Sequence, residues 1–453
     1  MKRPTAFILS LALLLALINS NAAERSLWRV QLDAQPLGPV EFHLELTTDG
    51  DELRARSLSA TSQLLSEIPG EHSVDEGLMA FTARLGEDGH YTGEVLAPWA
   101  DGSIALTVDG EEISGTIDNG IFAGSISGEK VDKVQSIRDY PALLNEFDTV
   151  VAAKVFAPDD LLTPGYRAFR EDFGRLAEQA TDDLDLLIGF RLLWKNDPFS
   201  HFQLRRSHQT AAEMFEHFDS YRVGFDAATV EFDGDTAILS VRTMMGADTI
   251  EQIEAAYDRI AAEQPATLVI DLRGNGGGAF AVKPLVEHVI DEPVDAGYFI
   301  SQVWNRKSDA LPSREAVLAT EPWTGWSIIG FWNVVQSSDI VRVRFNPAEP
   351  NFDGPVYVLL DERSASATEL AADALRSSGV TTLVGQQTAG EMLSQSMFDV
   401  GDGFLVSLPV ADYYSMASGR IEGVGVPVHV AADADTALSV AMELAQKQLS
   451  EAD

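Results

Sequence analysis

The sequence contains no cysteine. A disulfide framework and a lipid-anchored cysteine are therefore both excluded. Basic residues are scarce: 32 Lys and Arg stand against 70 Asp and Glu in 453 residues, a formal net charge of −38. Such a surface repels phosphate backbones and anionic membranes, so nucleic acid is not an expected partner. The acidic residues are spread along the chain and read as a solvated surface suited to a salty medium. Beyond the N-terminus no apolar run is long enough to span a bilayer. No spacing of His, Asp and Glu suits a metal ion, and no metal or cofactor is expected.

What is present begins with an export signal. Lys2 and Arg3 form a positive start, Phe7 to Ile18 is apolar except for Ser10, and Ser20-Asn21-Ala22-Ala23 supplies small residues for cleavage. Residues 1–23 are expected to be removed, leaving a soluble periplasmic or secreted protein with no membrane span. The length and the 45% hydrophobic content predict two or three domains.

Residues 24–135 read as a small all-β domain. Val30-Gln31-Leu32, Phe42-His43-Leu44-Glu45-Leu46 and Ile104-Ala105-Leu106-Thr107-Val108 alternate or nearly alternate. Asp49-Gly50, Asp109-Gly110 and Asn119-Gly120 supply turns, and Ile113–Ile117 with Ile121–Ile126 reads as a hairpin. A barrel and a sandwich both fit. Residues 139–205 switch to helical spacing, with Phe169, Phe173 and Leu176, then Leu184, Leu187, Phe190 and Leu193. Thr181 stands where a helix would cap, and Asn196-Asp197-Pro198 stops the unit. Residues 206–453 alternate strands and helices. Leu268-Val269-Ile270 and Val356–Leu360 are the continuous apolar runs that central strands of a covered sheet require. This predicts an α/β layered domain.

Two segments carry chemistry. Asp271-Leu272-Arg273-Gly274-Asn275-Gly276-Gly277-Gly278 follows a buried strand, with four glycines in five residues. Exposed N–H groups on such a turn can bind an oxyanion. A phosphate loop is excluded by the missing Gly-Lys-Ser/Thr. The dinucleotide pattern is met only in relaxed form by Gly274, Gly276 and Ala279, and its acidic partner is missing where Tyr298-Phe299-Ile300 runs into Ser301-Gln302. The second segment, Ser364-Ala365-Ser366-Ala367-Thr368-Glu369, joins a strand to a helix. A serine there stands on a tight turn, with the next N–H, on Ala367, and the positive helix end facing the same space. A plain helix cap is the competing reading.

In this order the two segments resemble the C-terminal-processing (tail-specific) serine peptidase family. The resemblance continues through Leu383-Val384-Gly385, Thr388-Ala389-Gly390 and Glu422-Gly423-Val424-Gly425-Val426-Pro427, and covers roughly residues 140–450. It implies a crotonase/ClpP-like spiral of β-β-α units with a helical N-terminal subdomain, Ser366 as the nucleophile and peptides or unfolded proteins as substrate. The family's usual lysine base is absent, because Glu391 occupies its position. Ser200-His201 instead resembles the tricorn-core branch, which implies His201 as base and Ser200 and Glu422 as the groups that hold it. Glu422 would act through Ser200 or another bridging group. His208, His217, His288 and His429 are rivals for the base. Ala367 with either Gly276 or Gly277 would form the oxyanion hole.

Two further departures stand out. Val428 replaces an acidic residue usual in the family, and His201 lies only 70 positions before Asp271, too few for a PDZ module as well as the catalytic elements. An insert at about 297–350 carries Trp304, Trp323, Trp326, Phe331 and Trp332, either to bind apolar substrate side chains or to pack locally. A non-catalytic ligand- or peptide-binding protein on the same fold is the main alternative function. An acyl-CoA enzyme, which would need a basic patch, and an esterase are the others.

Overall fold

The computed structural model describes residues 23–34, 38–58, 79–96, 101–118 and 123–452. The export signal up to Ala22, the Asn119-Gly120 turn, and Ile121 and Phe122 lie outside the described residues. No helix among the described residues is long and apolar enough to cross a membrane.

The N-terminal strands close into a barrel: β1 (Glu24–Ala34), β2 (Gly38–Asp49), β3 (Glu52–Ser57), β4 (Ala80–Leu85), β5 (Tyr91–Leu96), β6 (Gly102–Asp109), β7 (Glu112–Asp118) and β8 (Ala123–Val131). Each strand pairs antiparallel with the next, and β1 pairs with β8, from Leu27 opposite Val131 to Ala34 opposite Gly124. That pairing decides between barrel and sandwich. Trp28, Val30, Leu32 and Ala34 of β1 alternate inward, as do Ile104 and Leu106 of β6, so side chains fill the interior. Gly50 and Gly110 take positive φ in the short loops between β2 and β3 and between β6 and β7.

Three helices follow: α1 (Tyr140–Lys154), α2 (Pro164–Gln179) and α3 (Asp183–Leu193). The cap of α3 is Asp182, not Thr181. The extended residue falls one position later, and the Asp182 carboxylate accepts from Asp185 N at 3.0 Å. Phe147, Phe169, Phe173 and Phe190 of these helices meet edge-on or stacked, with centroids 5.3–6.1 Å apart.

The remainder is mixed α/β. β9 (Gln203–Arg206) and α4 (Ala211–Phe218) lead into β10 (Ala228–Asp233), β11 (Thr236–Val241), α5 (Ala247–Glu263) and β12 (Thr267–Asp271), a β-β-α-β run. After α6 (Val282–Glu287) come β13 (Val294–Ser301), α7 (Gln302–Asn305), α8 (Arg314–Leu318), α9 (Ile328–Ser337) and β14 (Ile340–Phe345). Then follow β15 (Val356–Leu360), α10 (Ala367–Ser378), β16 (Thr381–Gly385), β17 (Leu393–Asp399), β18 (Phe404–Ser415), β19 (Gly419–Arg420), β20 (Val430–Ala431) and α11 (Ala437–Ala452). One sheet runs β10-β11-β12-β15-β16-β20, parallel from β11 onward. The other is antiparallel, β14-β13-β18-β17, with β9 and β19 also on β18. Ala437, Ala441 and Ala445 of α11 cover Val269, Tyr357, Leu359 and Val384 on one face of the parallel sheet. The wholly buried β15 matches its apolar run. β12 and β15 are neighbours, so the Gly-rich turn and the Ser366 segment leave the same sheet edge side by side, at the carboxyl ends of parallel strands where α/β ligands gather.

Candidate active site

The two loops are fastened before any chemistry is considered. Gly274 N donates to Asp361 Oδ1 at 2.9 Å, Ala365 N to Asn275 O at 3.1 Å and Ser364 Oγ to Leu272 O at 3.0 Å. Asn275 is fully buried, and its Nδ2 donates to Val241 O. Gly277 must be glycine: its φ is +92°, and a Cβ there would lie 2.6–2.9 Å from Ala365 O, Ser366 Cβ and Ala367 N.

Ser366 itself has φ +57° and ψ −122°, a backbone that side-chain-bearing residues rarely adopt. Strain of this kind persists only where neighbours over-determine it. Here the buried Glu369 does so. Its carboxylate accepts from Ser366 N (3.0 Å), Thr388 Oγ1 (2.6 Å), Gly390 N (2.8 Å) and Glu391 N (2.9 Å). Burial still raises its pKa above the usual glutamate value, against the lowering effect of those bonds.

His201 arrives from the other side. Phe199 and Phe202 flank it and are buried against Trp194, with centroids at 5.1 and 4.8 Å, and Phe202 also meets Phe190 at 5.1 Å. The helical unit thus anchors the segment, and His201, which stands between Phe199 and Phe202 in the chain, takes φ +60°. His201 Nε2 lies 3.2 Å from Ser366 Oγ. On its far side Nδ1 lies 2.6 Å from Ser200 Oγ, which donates to Glu422 Oε2 at 3.2 Å. Ser200 N and Met392 N also donate to the Glu422 carboxylate, at 3.0 and 2.7 Å. A continuous line Ser366–His201–Ser200–Glu422 results, with the Nδ1–H tautomer leaving Nε2 free to accept. Burial lowers the His201 pKa to about 4, so the imidazole is neutral near pH 7. Burial raises that of Glu422, opposed by its bonds to Ser200 and Met392.

The rival histidines lie elsewhere. His208 pairs with Asp33, His288 stacks on Tyr257 and bonds Glu254, His429 Nδ1 accepts from Leu383 N, and His217 sits in α4. Glu391 accepts from Asn196 Nδ2 at 3.3 Å and takes no part in that line. Of the two glycines, Gly277 N is already committed to Asn275 Oδ1 at 2.9 Å. Gly276 N and Ala367 N have no acceptor among the described residues, and a Cβ on Gly276 would face open space.

A cleft of about 430 Å³ opens over Ser366, His201 and Gly276. Its walls are largely apolar, with Met214 and Phe218 of α4, Phe331 and Trp332 of α9, and Phe280 and Met392, while Gln203, Arg205, Ser394, Gln395 and Ser407 add polar groups. Trp332 packs on Phe215 and Phe218, and Asp219 holds the start of α9 through Ile328 N at 2.8 Å. The aromatic insert thus divides. Phe331 and Trp332 line the cleft, Trp323 packs on Phe280 and Phe331, Trp304 Nε1 bonds Ala310 O, and Trp326 is exposed. The sequence reading missed the Glu369 clamp and the Asn275 amide, although both stand in its motifs. Arg205, also in the wall, carried no sequence signal.

Residues 235–432 match the family described as Peptidase family S41. The chain is similar to carboxyl-terminal-processing peptidase 3, chloroplastic, of Arabidopsis thaliana, at 26% identity over 198 residues, 44% of this chain and 32% of that one. It is similar at 24% identity over 184 residues to a carboxyl-terminal-processing protease of Synechocystis sp., 41% of this chain and 35% of the other. A third such protease, of Picosynechococcus sp., is 37% identical over 78 residues, 17% of this chain and 19% of the relative. The chain thus spans about a third or less of the length of these relatives. Among solved structures it is similar to the photosystem II D1 C-terminal processing protease, with TM-score 0.41 and 15% identity over 66% of this chain and 95% of that chain. Similarity to the tricorn protease has TM-score 0.40 and 10% identity over 93% and 59%.

Proposed function

We propose that this protein, whose residues 235–432 match Peptidase family S41, is a serine peptidase that hydrolyses peptide bonds through an acyl-enzyme at Ser366. The observation that carries the reading is the 3.2 Å approach of His201 Nε2 to Ser366 Oγ at the head of a line ending on Glu422. His201 takes the Ser366 proton as Oγ attacks the peptide carbonyl, then gives it to the leaving amine. A water then attacks the ester, His201 takes its proton, and the acid leaves with Ser366 Oγ re-protonated. Ser200 and Glu422 keep the proton on Nδ1 and stabilise the imidazolium. Ala367 N–H and Gly276 N–H receive the oxyanion, since Gly277 N–H is occupied. No step calls on Glu391. Substrates are peptides or unfolded proteins. The chain divides into an export signal (1–23), a β domain (24–135), a helical subdomain (139–205) and a catalytic domain (206–453), and it acts in a periplasm or outside the cell.

The test is labelling by a serine-reactive phosphonate together with cleavage of a peptide panel. Wild type is expected to label and cleave, and Ser366→Ala to do neither. His201→Ala is expected to lower kcat about 10²- to 10⁴-fold. Equal labelling of wild type and Ser366→Ala would overturn the assignment. An unlabelled, inactive wild type would favour the non-catalytic reading, for which the apolar cleft is the supporting observation.

A further inference from the structure

We propose that Arg205 is the specificity determinant of the cleft and that the preferred substrates carry a carboxylate within about four residues of the scissile bond. The proposal rests on the peptidase reading for what the site does, but its observations are separate.

Gln203 and Arg205 occupy alternate positions of β9 and both line the cleft, as the two-residue period of a strand dictates, and His201, which also lines it, stands two residues before Gln203. Arg205 therefore lies at most about 13 Å along the chain from the histidine beside Ser366. An extended peptide bound in the cleft covers that span with about four residues. Among the described residues no Asp or Glu lines the cleft, although the chain has 70 of them. Arg205 is the cation in that wall. Among the described residues its Nη2 reaches only the thioethers of Met214, at 3.6 Å, and Met397. Thioethers are weak acceptors. Its Nε is buried with no acceptor among the described residues. Three other half-buried arginines are paired, Arg138 with Asp183 and Glu41, Arg170 with Asp148, and Arg344 with Asp295, whereas the Nε of Arg376, outside the cleft, also lacks an acceptor among the described residues.

A guanidinium withdrawn from water without a counter-ion is unfavourable, and a chain this rich in carboxylates had partners to offer. The missing partner is supplied by a ligand. A carboxylate fits, because its two oxygens match the guanidinium fork and form charge-assisted hydrogen bonds that strengthen in an apolar cleft. Burial lowers the pKa of Arg205, in keeping with a cation that has no anion beside it. The carboxylate has two sources, an Asp or Glu side chain or the chain terminus.

The test uses one parent peptide in three forms: Glu with an amidated end, Gln with a free terminal carboxylate, and Gln with an amidated end. The charged residue is scanned up to four positions on either side of the cleaved bond. Wild type is expected to show kcat/KM at least tenfold higher for one charged form than for the neutral peptide, and which form wins identifies the source. Arg205→Met should collapse that ratio to within threefold, and Arg205→Lys should restore part of it. Phosphonate labelling of both variants at Ser366 verifies an intact fold. Binding of the same three peptides to Ser366→Ala, followed by calorimetry, separates the two ideas. Tighter binding of a charged form, lost in Ser366→Ala/Arg205→Met, supports the Arg205 site even if the protein cleaves nothing. Equal binding of charged and neutral peptides, or a preference that survives Arg205→Met, overturns it and leaves the peptidase reading standing.

Discussion

A histidine can act as a base only while neutral, and around His201 burial favours that form. Its pKa lies near 4 and not at 6.5, so the active form appears as pH rises through about 4. We expect kcat/KM to be flat from pH 6 to 8 and to fall only below about pH 5. An acid limb centred at 6.5 would contradict the burial of this ring. The same shift has a stability consequence. The unfolded chain protonates His201 more readily, so stability present above pH 6.5 is lost as pH falls toward 4. His201→Asn should weaken that loss, as seen by comparing denaturant midpoints at pH 7 and 4.5. Gly277 and Gly276 give a paired prediction. Gly277→Ala should abolish phosphonate labelling and destabilise by about 1–3 kcal/mol, since its Cβ meets backbone at 2.6 Å at positive φ. Gly276→Ala meets nothing within 4 Å and should stay within about 0.5 kcal/mol in denaturant unfolding.

Among the elements, the helical unit has a definite task. α1 to α3 build an aromatic cluster that Phe199 and Phe202, the residues bracketing Ser200 and His201 in the chain, join. Phe202→Ala and Phe173→Ala should each cost about 3–5 kcal/mol, since both rings are buried. Only Phe202→Ala should also lower kcat, because only it frees the histidine segment. A comparable kcat loss in both variants would mean that the helices act through general stability. The helix periodicity around Phe169, Phe173 and Phe190 was legible because amphipathic helices repeat every three to four residues. The cap at Asp182 was not, because Thr181, Asp182 and Asp183 are all good caps and only the backbone conformation chooses.

Across the whole molecule, the barrel is joined to the rest by buried charge. Asp183, fully buried, accepts from Arg138, Tyr140 Oη and Glu41 N and pairs with Arg206, while Asp182 accepts from His43 N. Arg206 Nε reaches Pro39 O, so β2 of the barrel braces the strand that carries Arg205. Asp183→Ala leaves the Arg206 guanidinium without a carboxylate and leaves Arg138 with Glu41 alone, and should cost about 3–5 kcal/mol. Limited proteolysis should then release the barrel as a fragment, and an intact protease-resistant chain would argue that apolar packing alone holds the units together. The net charge of −38 adds a broader expectation: added salt should raise Tm, because it screens self-repulsion across the surface.

The sequence by itself determined the local structure. Alternation marked the barrel strands, apolar runs marked β12 and β15, and the Gly-rich and Ser366 segments declared themselves through residue types with strong backbone preferences. It also supplied His201, Ser200 and Glu422 as candidates, but only through resemblance, since nothing local to those residues demands chemistry. The tertiary structure decided the rest. Barrel closure depends on pairing residues about a hundred positions apart, from β1 to β8. The approach of His201 to Ser366 spans 165 positions and is set by aromatic packing. That Gly277 N is engaged, which underlies the proposal of Gly276 as oxyanion donor, depends on where one amide, Asn275, points. That no carboxylate among the described residues pairs with Arg205 is likewise a matter of which segments pack together. Contacts between distant segments follow from packing, and no local preference of the chain encodes them.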